Sequence, residues 1–355
     1  MIDFVYIIII ALLVVIGGVF LFMKFNILDK PGPDIIPPRK PVPTLQGIFL
    51  YMGVLFSILL VFPDYLQNIE IIVFFLLGFI ILIFGVIDEI KGISPMIRVV
   101  IQLLLGFIAF YFAGVGIESI NLPILGQIEF PFVVAAILTI IWFVGFMNAI
   151  NWFDGVNSLA SGVSSIGFLT IILLIYLVVF PHYQDITQET KQMLEMVANI
   201  SFIFLIFSLL YTFVEFKPFG LLRDVGVMFL GFALAYLALL GGAKIGTILV
   251  AISLAFFDAI WVFLNRILVM KKNPLKGDYT HLHHRLMRLG WSRNEVRVFV
   301  WGWSLFFMTI IILLGADRLG KVVIFLFMFL VFFGVNYYLF WIKGLPYEFI
   351  KKEKK

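Results

Sequence analysis

Two adjacent carboxylates, Asp88 and Glu89, end an apolar run and are followed by Lys91 and Arg98. At a membrane surface an acid pair is desolvated enough to need a partner, whether a metal or a substrate. One carboxylate can then accept a proton while the cations hold an anion; plain surface ion pairing fits the same four residues. A second cluster reads Asn148-Ala-Ile-Asn151-Trp-Phe-Asp154-Gly155-Val-Asn157. Its spacing of three puts Asn148, Asn151 and Asp154 on one helical face, and such hard oxygen ligands suit Mg²⁺. Hydrogen bonding between helices is the competing use of the asparagines. Three of the four histidines, His281, His283 and His284, fall within four residues beside Arg285 and Arg288. Their spacing in an apparent loop, in a chain without cysteine, is a weak zinc pattern, and phosphate contact and proton traffic fit it better. Exposed loop histidines with no role are the plain alternative. Asp224 opens an apolar run, where an aspartate ordinarily caps a helix. Asp258 lies inside one, where it costs roughly 2.5 to 3.5 kcal/mol on insertion scales, so a bonded partner is expected, with Arg266 two turns on as the candidate.

The elements that carry these residues follow from the composition. The chain has 355 residues, 63% of them apolar and 13% charged, against roughly 25% charged in soluble domains. A span across a bilayer needs about 20 apolar residues, and eleven runs qualify, at 4–23, 45–62, 70–87, 97–116, 130–147, 158–180, 196–214, 225–241, 246–269, 298–315 and 320–342. The hairpin between the eighth and ninth is the weakest boundary, so the count is 10 to 11. Continuous rather than alternating runs exclude a barrel. The expected fold is a single all-α polytopic membrane domain over residues 1–355, with a His/Arg-rich loop at 270–297. The first run starts with Asp3 and has no small-residue cleavage site, so it reads as a retained helix rather than a secretory signal.

With the N-terminus outside, 21 of the 25 Lys and Arg residues fall in the inner loops and the C-terminal tail; Lys191, Lys244, Arg318 and Lys321 remain outside. That split places the C-terminus and all the clusters on the cytoplasmic face. It also explains a pI of about 9.1 without nucleic acid as a partner, and no basic stripe with stacking aromatics is visible. The first inner loop holds Arg39-Lys40-Pro-Val-Pro43-Thr44-Leu-Gln-Gly47, whose prolines favour an extended re-entry. The absence of cysteine excludes disulfides and thiolate metal sites.

In this order, over roughly residues 25–295, the clusters resemble the polyprenyl-phosphate N-acetylhexosamine-1-phosphate transferases. Asn148, Asn151, Asp154 and Gly155 match that family's Asn-x-x-Asn-x-x-Asp-Gly motif. His281, His283 and His284 match its His-x-His-His form, which is similar to the GlcNAc branch rather than the phospho-N-acetylmuramoyl-pentapeptide branch. Asp88 and Glu89 occupy the place of an acidic pair that is usually Asp-Asp, and Arg98 that of a Lys. Asp224 and Gly226 are kept from Gly-Asp-x-Gly-Ser, whereas Arg223 and Val227 replace its first glycine and its serine, and Gln46 replaces a glycine of the first loop. Arg223 could pair with Asp224 and weaken metal binding, or lend a second cation to a diphosphate.

The resemblance implies an enzyme that moves HexNAc-1-phosphate, GlcNAc-1-phosphate first, from a UDP-N-acetylhexosamine to a polyprenyl phosphate with release of UMP. It implies Mg²⁺, or Mn²⁺ in its stead, on Asp224 and Asn151. Asp88, Glu89, Arg98, His281, His283 and His284 would be catalytic, and Lys40, Asn148, Asp154, Asn157 and Arg285 would bind substrate. A homodimer is compatible with it. A muramoyl-pentapeptide type of transferase is the nearest alternative. From another class, a lipid or solute transporter would show broken helices with ionisable groups near the midplane, and Asp258 leans that way; a transferase-like chain that has lost activity is a third reading.

Overall fold

The structure, a computed structural model, describes residues 2–29, 40–122, 126–182, 186–242, 245–271, 273, 280–315 and 317–342. Lys30, Arg39, Lys244, Lys276, Asp278 and the basic tail after residue 342 lie outside the described residues. In chain order the helices are α1 (Ile2–Lys24), α2 (Gly47–Val61), α3 (Ile69–Lys91), α4 (Pro95–Ala113), α5 (Phe132–Trp152), α6 (Leu159–Leu173), α7 (Phe180–His182), α8 (Gln188–Phe216), α9 (Arg223–Leu240), α10 (Ile245–Ala251), α11 (Ser253–Leu268), α12 (Leu282–Arg288), α13 (Arg293–Leu313) and α14 (Arg318–Tyr337). Among the described residues nine helices are long and apolar enough to cross a membrane, and α2 is a shorter apolar helix. The protein is an all-α, multi-pass membrane protein, as expected for a chain whose backbone polar groups must be satisfied within each span.

Several boundaries differ from expectation for identifiable reasons. The seventh apolar run is part of a longer helix, α8, because Thr187 caps it by accepting from the Thr190 N–H at 3.2 Å, and capping extends a helix past its apolar stretch. The sixth run passes from α6 through a π-helical stretch, Leu174–Val179, into α7. The ninth is interrupted at Ile252, which has φ −106° and ψ 20°, between α10 and α11; no glycine or proline marks that break. A two-stranded antiparallel hairpin, Ser119–Leu122 with Gly126–Glu129, joins α4 to α5. The histidines do not occupy a loop: His281 stands at the N-cap of α12, and His283 and His284 lie in its first turn. A capping box between Ser292 and Glu295 then starts α13.

Helix α9 forms the centre of the bundle, with 78% of its span buried, against 22% for α1 and 17% for α14. Amphipathic aromatics tie its surroundings together at their polar ends. The Tyr236 hydroxyl donates to the Glu70 carbonyl at 2.6 Å, Trp142 Nε1 to the Ala235 carbonyl at 3.1 Å, and the Tyr211 hydroxyl to the Gln46 carbonyl at 3.0 Å. Buried indole and phenol groups are stable only with such partners.

The end of α9 that carries Asp224 is fixed by backbone contact. A Cβ on Gly47 would stand 2.3 Å from the Gly226 nitrogen, so α2 and α9 touch main chain to main chain, the close approach that small residues permit between membrane helices. The Gln46 N–H donates to the Leu221 carbonyl at 3.0 Å, and the Leu221 N–H to the Pro43 carbonyl at 2.9 Å. The described part of the first loop is thereby bonded to the strand of chain that leads into Asp224. Gly47→Ala is expected to cost about 1–3 kcal/mol by overpacking, measured as a lower unfolding temperature of the purified chain in detergent.

Candidate active site

Asp88, Arg98 and Asp224 come from α3, α4 and α9, and a single guanidinium joins them. Arg98 Nε lies 2.7 Å from Asp88 Oδ2, and Arg98 NH1 lies 2.9 Å from Asp224 Oδ2. Asp88 Oδ1 also accepts the Ile93 N–H at 2.6 Å, in the turn that ends α3. Both oxygens of this nearly buried carboxylate are therefore engaged, which makes it an anchor for Arg98 more than a free base. Arg98 can take that position because Ser94 and Pro95 start α4 just beyond the turn, the Ser94 side chain accepting from the Ile97 N–H.

Arg223 does not pair with Asp224 at close range. Its Nε lies 2.9 Å from Glu89 Oε1, so the two departures from the familiar motifs, a longer acid and an added cation, are partners. Arg223 has φ +57°. The left-handed region costs a residue with a Cβ roughly 1–2 kcal/mol, and glycine occupies it freely, which accounts for the glycine in the motif this segment resembles.

The amide-rich cluster is divided. α5 ends at Trp152, and Asp154 sits on a following 3₁₀ turn, Phe153–Gly155, so the expected common helical face extends only to Asn148 and Asn151. Asn148 Nδ2 donates to Gln102 Oε1 at 2.7 Å and to the Val144 carbonyl at 2.7 Å, which is the interhelical bonding anticipated as the other use of an asparagine. The Asn157 carbonyl accepts from Arg297 Nε at 2.9 Å. The Asp154 carboxylate faces the charges of Glu215, Asp224, Arg223 and Glu89. Three carboxylates and one guanidinium around a fourth carboxylate leave a local excess of negative charge.

Gly155 joins this turn to the histidines. A Cβ there would stand 2.0 Å from His283 Nε2. His283 is buried, and among the described residues neither ring nitrogen has a hydrogen-bond partner. Burial first, then the neighbouring His284 and His281, push it well below the usual histidine range, so at neutral pH it is an uncharged ring with one N–H to donate and one nitrogen to accept. Gly155→Ala is expected to lower stability by about 1–3 kcal/mol. Adding His283→Ala to the same chain is expected to recover most of that loss, as read by thermal unfolding.

Asp258 finds its partners in the histidine helix and not in Arg266. Its carboxylate takes His281 Nδ1 at 2.9 Å, the Leu282 N–H at 2.9 Å and the Arg285 guanidinium, while Arg266 donates to Thr280 Oγ1 at 3.4 Å. Arg285, expected to bind substrate, is buried between Asp258 and Asn336. Asp258 is likewise fully buried, and its charge is compensated by these partners within the bundle. Lys40 is exposed and is not among the groups that meet Asp88, Arg98 and Asp224.

Glu215 was missed in the sequence, although a lone acid near the end of an apolar run was a visible signal. It is buried at the end of α8 and accepts from Ser161 Oγ at 2.8 Å and from the Leu222 N–H at 2.9 Å, so it orients the backbone two residues before Asp224.

Clusters from α3, α4, α5, α9 and α12, far apart in sequence, thus meet at one end of the bundle. A sequence model described as glycosyl transferase family 4 matches residues 71–242, the stretch that carries the acidic pair, the amide cluster and Asp224. The chain is also 26% identical over 286 residues to a Bacillus subtilis (strain 168) protein named "Probable undecaprenyl-phosphate N-acetylglucosaminyl 1-phosphate transferase", covering 77% of this chain and 73% of that protein. Both matches are to transferases. Together with the ordered motifs they make the chain similar to the transferases of glycosyl transferase family 4.

Proposed function

We propose that this chain transfers GlcNAc-1-phosphate from UDP-GlcNAc to a polyprenyl phosphate. An oxygen of the lipid phosphate attacks the β-phosphorus of the donor, the bond from that phosphorus to the bridging oxygen breaks, and UMP leaves with the bridging oxygen. The product is a polyprenyl diphosphate sugar. The observation that carries this reading is the convergence of Asp88, Arg98 and Asp224 through one guanidinium, beside the Asp154 turn and the His283 ring.

Two anions must meet in this reaction, so alignment and charge neutralisation dominate its barrier. Arg98 is held by carboxylates on both sides, a preorganised donor for phosphoryl oxygens. His283 supplies an uncharged donor, and Asp258 orients the helix that bears it. The acceptor phosphate has a second pKa near 6, so at neutral pH it needs no strong base, in keeping with an Asp88 whose oxygens are already engaged.

The donor set fits a magnesium ion in type. Among the described residues Asn151 and Asp154 make no side-chain hydrogen bond, Arg98 takes only Oδ2 of Asp224, and Asp154 lies in an excess of negative charge. Among the described residues no three acidic or imidazole groups form a metal cage. Mg²⁺ is commonly bound by one or two carboxylates together with substrate phosphates, and Asp224 and Asn151, with Asp154, are the residues that would hold it; Mn²⁺ is the alternative ion. When bound it would neutralise phosphate charge. The excess of Lys and Arg in the loops at this end supports a cytoplasmic site, where a soluble nucleotide sugar meets a lipid that arrives laterally.

The test supplies radiolabelled UDP-GlcNAc, UDP-GalNAc and UDP-MurNAc-pentapeptide, each with polyprenyl phosphate, to the purified chain. The expected result is lipid-linked product and UMP from UDP-GlcNAc, dependent on a divalent cation. Product from the pentapeptide donor alone would replace this reading with the muramoyl one, and transport into liposomes without turnover would overturn both.

A further inference from the structure

We infer that Arg223 is a phosphate-binding residue, a second guanidinium that Glu89 holds ready at the reacting end of the site. The inference rests on the transfer reaction proposed above and adds a ligand to it.

Arg223 occupies a left-handed backbone position, φ +57°, where glycine would be unstrained. Strain that persists at one residue of a functional site is a sign of what its side chain does there. Stability does not explain it. The pair with Glu89 is partly solvent-accessible, with 44% of the Arg223 side chain and 19% of the Glu89 side chain exposed, and ion pairs open to solvent contribute little to folding. Glu89 takes only Nε, which leaves the N–H groups of NH1 and NH2, the fork that binds phosphate oxygens in two parallel bonds.

Its neighbours point the same way. Arg223 lies in the electrostatic field of Asp154 and Asp224, the residues of the proposed cation site, and directly precedes Asp224 in the chain. Arg98, the other guanidinium here, has its Nε 2.7 Å from Asp88 Oδ2 and gives NH1 to Asp224. Arg223 is therefore the less committed of the two. Its longer acid partner is also accounted for: a glutamate at position 89 on α3 reaches the guanidinium on α9 and orients it before substrate arrives. The ligand is a phosphoryl group, supplied by either the nucleotide sugar or the lipid phosphate.

The experiment compares the full chain with Arg223→Gly and Arg223→Lys in detergent. Arg223→Gly removes the guanidinium and relieves the backbone, so its unfolding temperature is expected to match or exceed that of the wild type. KM is expected to rise about 10- to 100-fold, the value of one or two hydrogen bonds to a charged group, with Arg223→Lys in between. A rise confined to UDP-GlcNAc assigns Arg223 to the nucleotide diphosphate, and a rise confined to polyprenyl phosphate assigns it to the acceptor. UDP with Mg²⁺ and, separately, dodecyl phosphate serve as binding probes by thermal shift, without turnover. If Arg223→Gly folds poorly, Arg223→Gln, which keeps the bulk of the side chain, takes its place. Unchanged KM for both substrates, with both probes bound as in the wild type, would overturn the inference while leaving the transfer reaction intact. Absence of transfer by the wild type would remove the reaction, and the two probes would still report whether Arg223 binds phosphate.

Discussion

Asp224→Ala is expected to lower transfer from UDP-GlcNAc to polyprenyl phosphate by about 10³-fold or more, with the fold retained. Asp224 bonds Arg98 through one oxygen and belongs to the oxygen set proposed for a divalent cation, so its removal takes away charge stabilisation at the reacting phosphates. Losses of about 10²–10³ follow removal of a single oriented group of this kind, and loss of a metal ligand adds to them. Stability is expected to change little, because the Asp224 side chain is 31% exposed and the packing of α9 is carried by residues such as Val225, Val227 and Phe229. UMP release and the unfolding temperature, measured on the same preparation, check both halves. More than a tenth of wild-type activity in the alanine variant would show that the cluster is not the reacting centre.

The second large effect is structural and concerns Asp258. Asp258→Ala leaves Arg285 buried without its carboxylate, and His281 and the Leu282 N–H without an acceptor. Removing one partner of a buried ion pair costs about 3–5 kcal/mol, because the remaining charge stays desolvated. The expected outcome is a large fall in unfolding temperature and loss of transfer, since the three histidines stand on the segment that Asp258 holds. Arg285 also lines an apolar cavity of about 290 Å³ with Leu286, Trp303 and Phe332, so a methionine in its place would meet hydrocarbon. The double variant Asp258→Leu, Arg285→Met is therefore expected to regain most of the stability but not the activity, as His281 lacks its carboxylate. Recovery of both would show that the histidine helix needs only packing, and recovery of neither would show that the ion pair is not where the stability resides.

The paired changes at positions 89 and 223 illustrate how departures from a motif are read. Read from the sequence, Glu89 is only a longer acid, and Arg223 either weakens Asp224 by pairing with it or lends a second cation to a diphosphate. The distance of 2.9 Å between them makes them partners of each other, on α3 and α9 at the same end of the bundle.

The sequence alone determined the class of fold and the ordered clusters at one end. A bilayer core accepts only long apolar segments with internally satisfied backbones, so the segments are written in composition, and alternation across the bilayer then sorts the clusters to a common side. The tertiary structure decided which charge meets which. Arg98 reaches Asp224 across 126 positions, Glu89 reaches Arg223 across 134, and Asp258 chooses Arg285 over the nearer Arg266. The break at Ile252, the hairpin between α4 and α5 and the helical setting of the histidines were likewise invisible. An apolar run records that a segment must be buried in lipid or protein, whereas an ion pair depends on the rotation and height of two helices against each other, and that is set by contacts such as Gly47 on Gly226 that no single stretch of sequence contains.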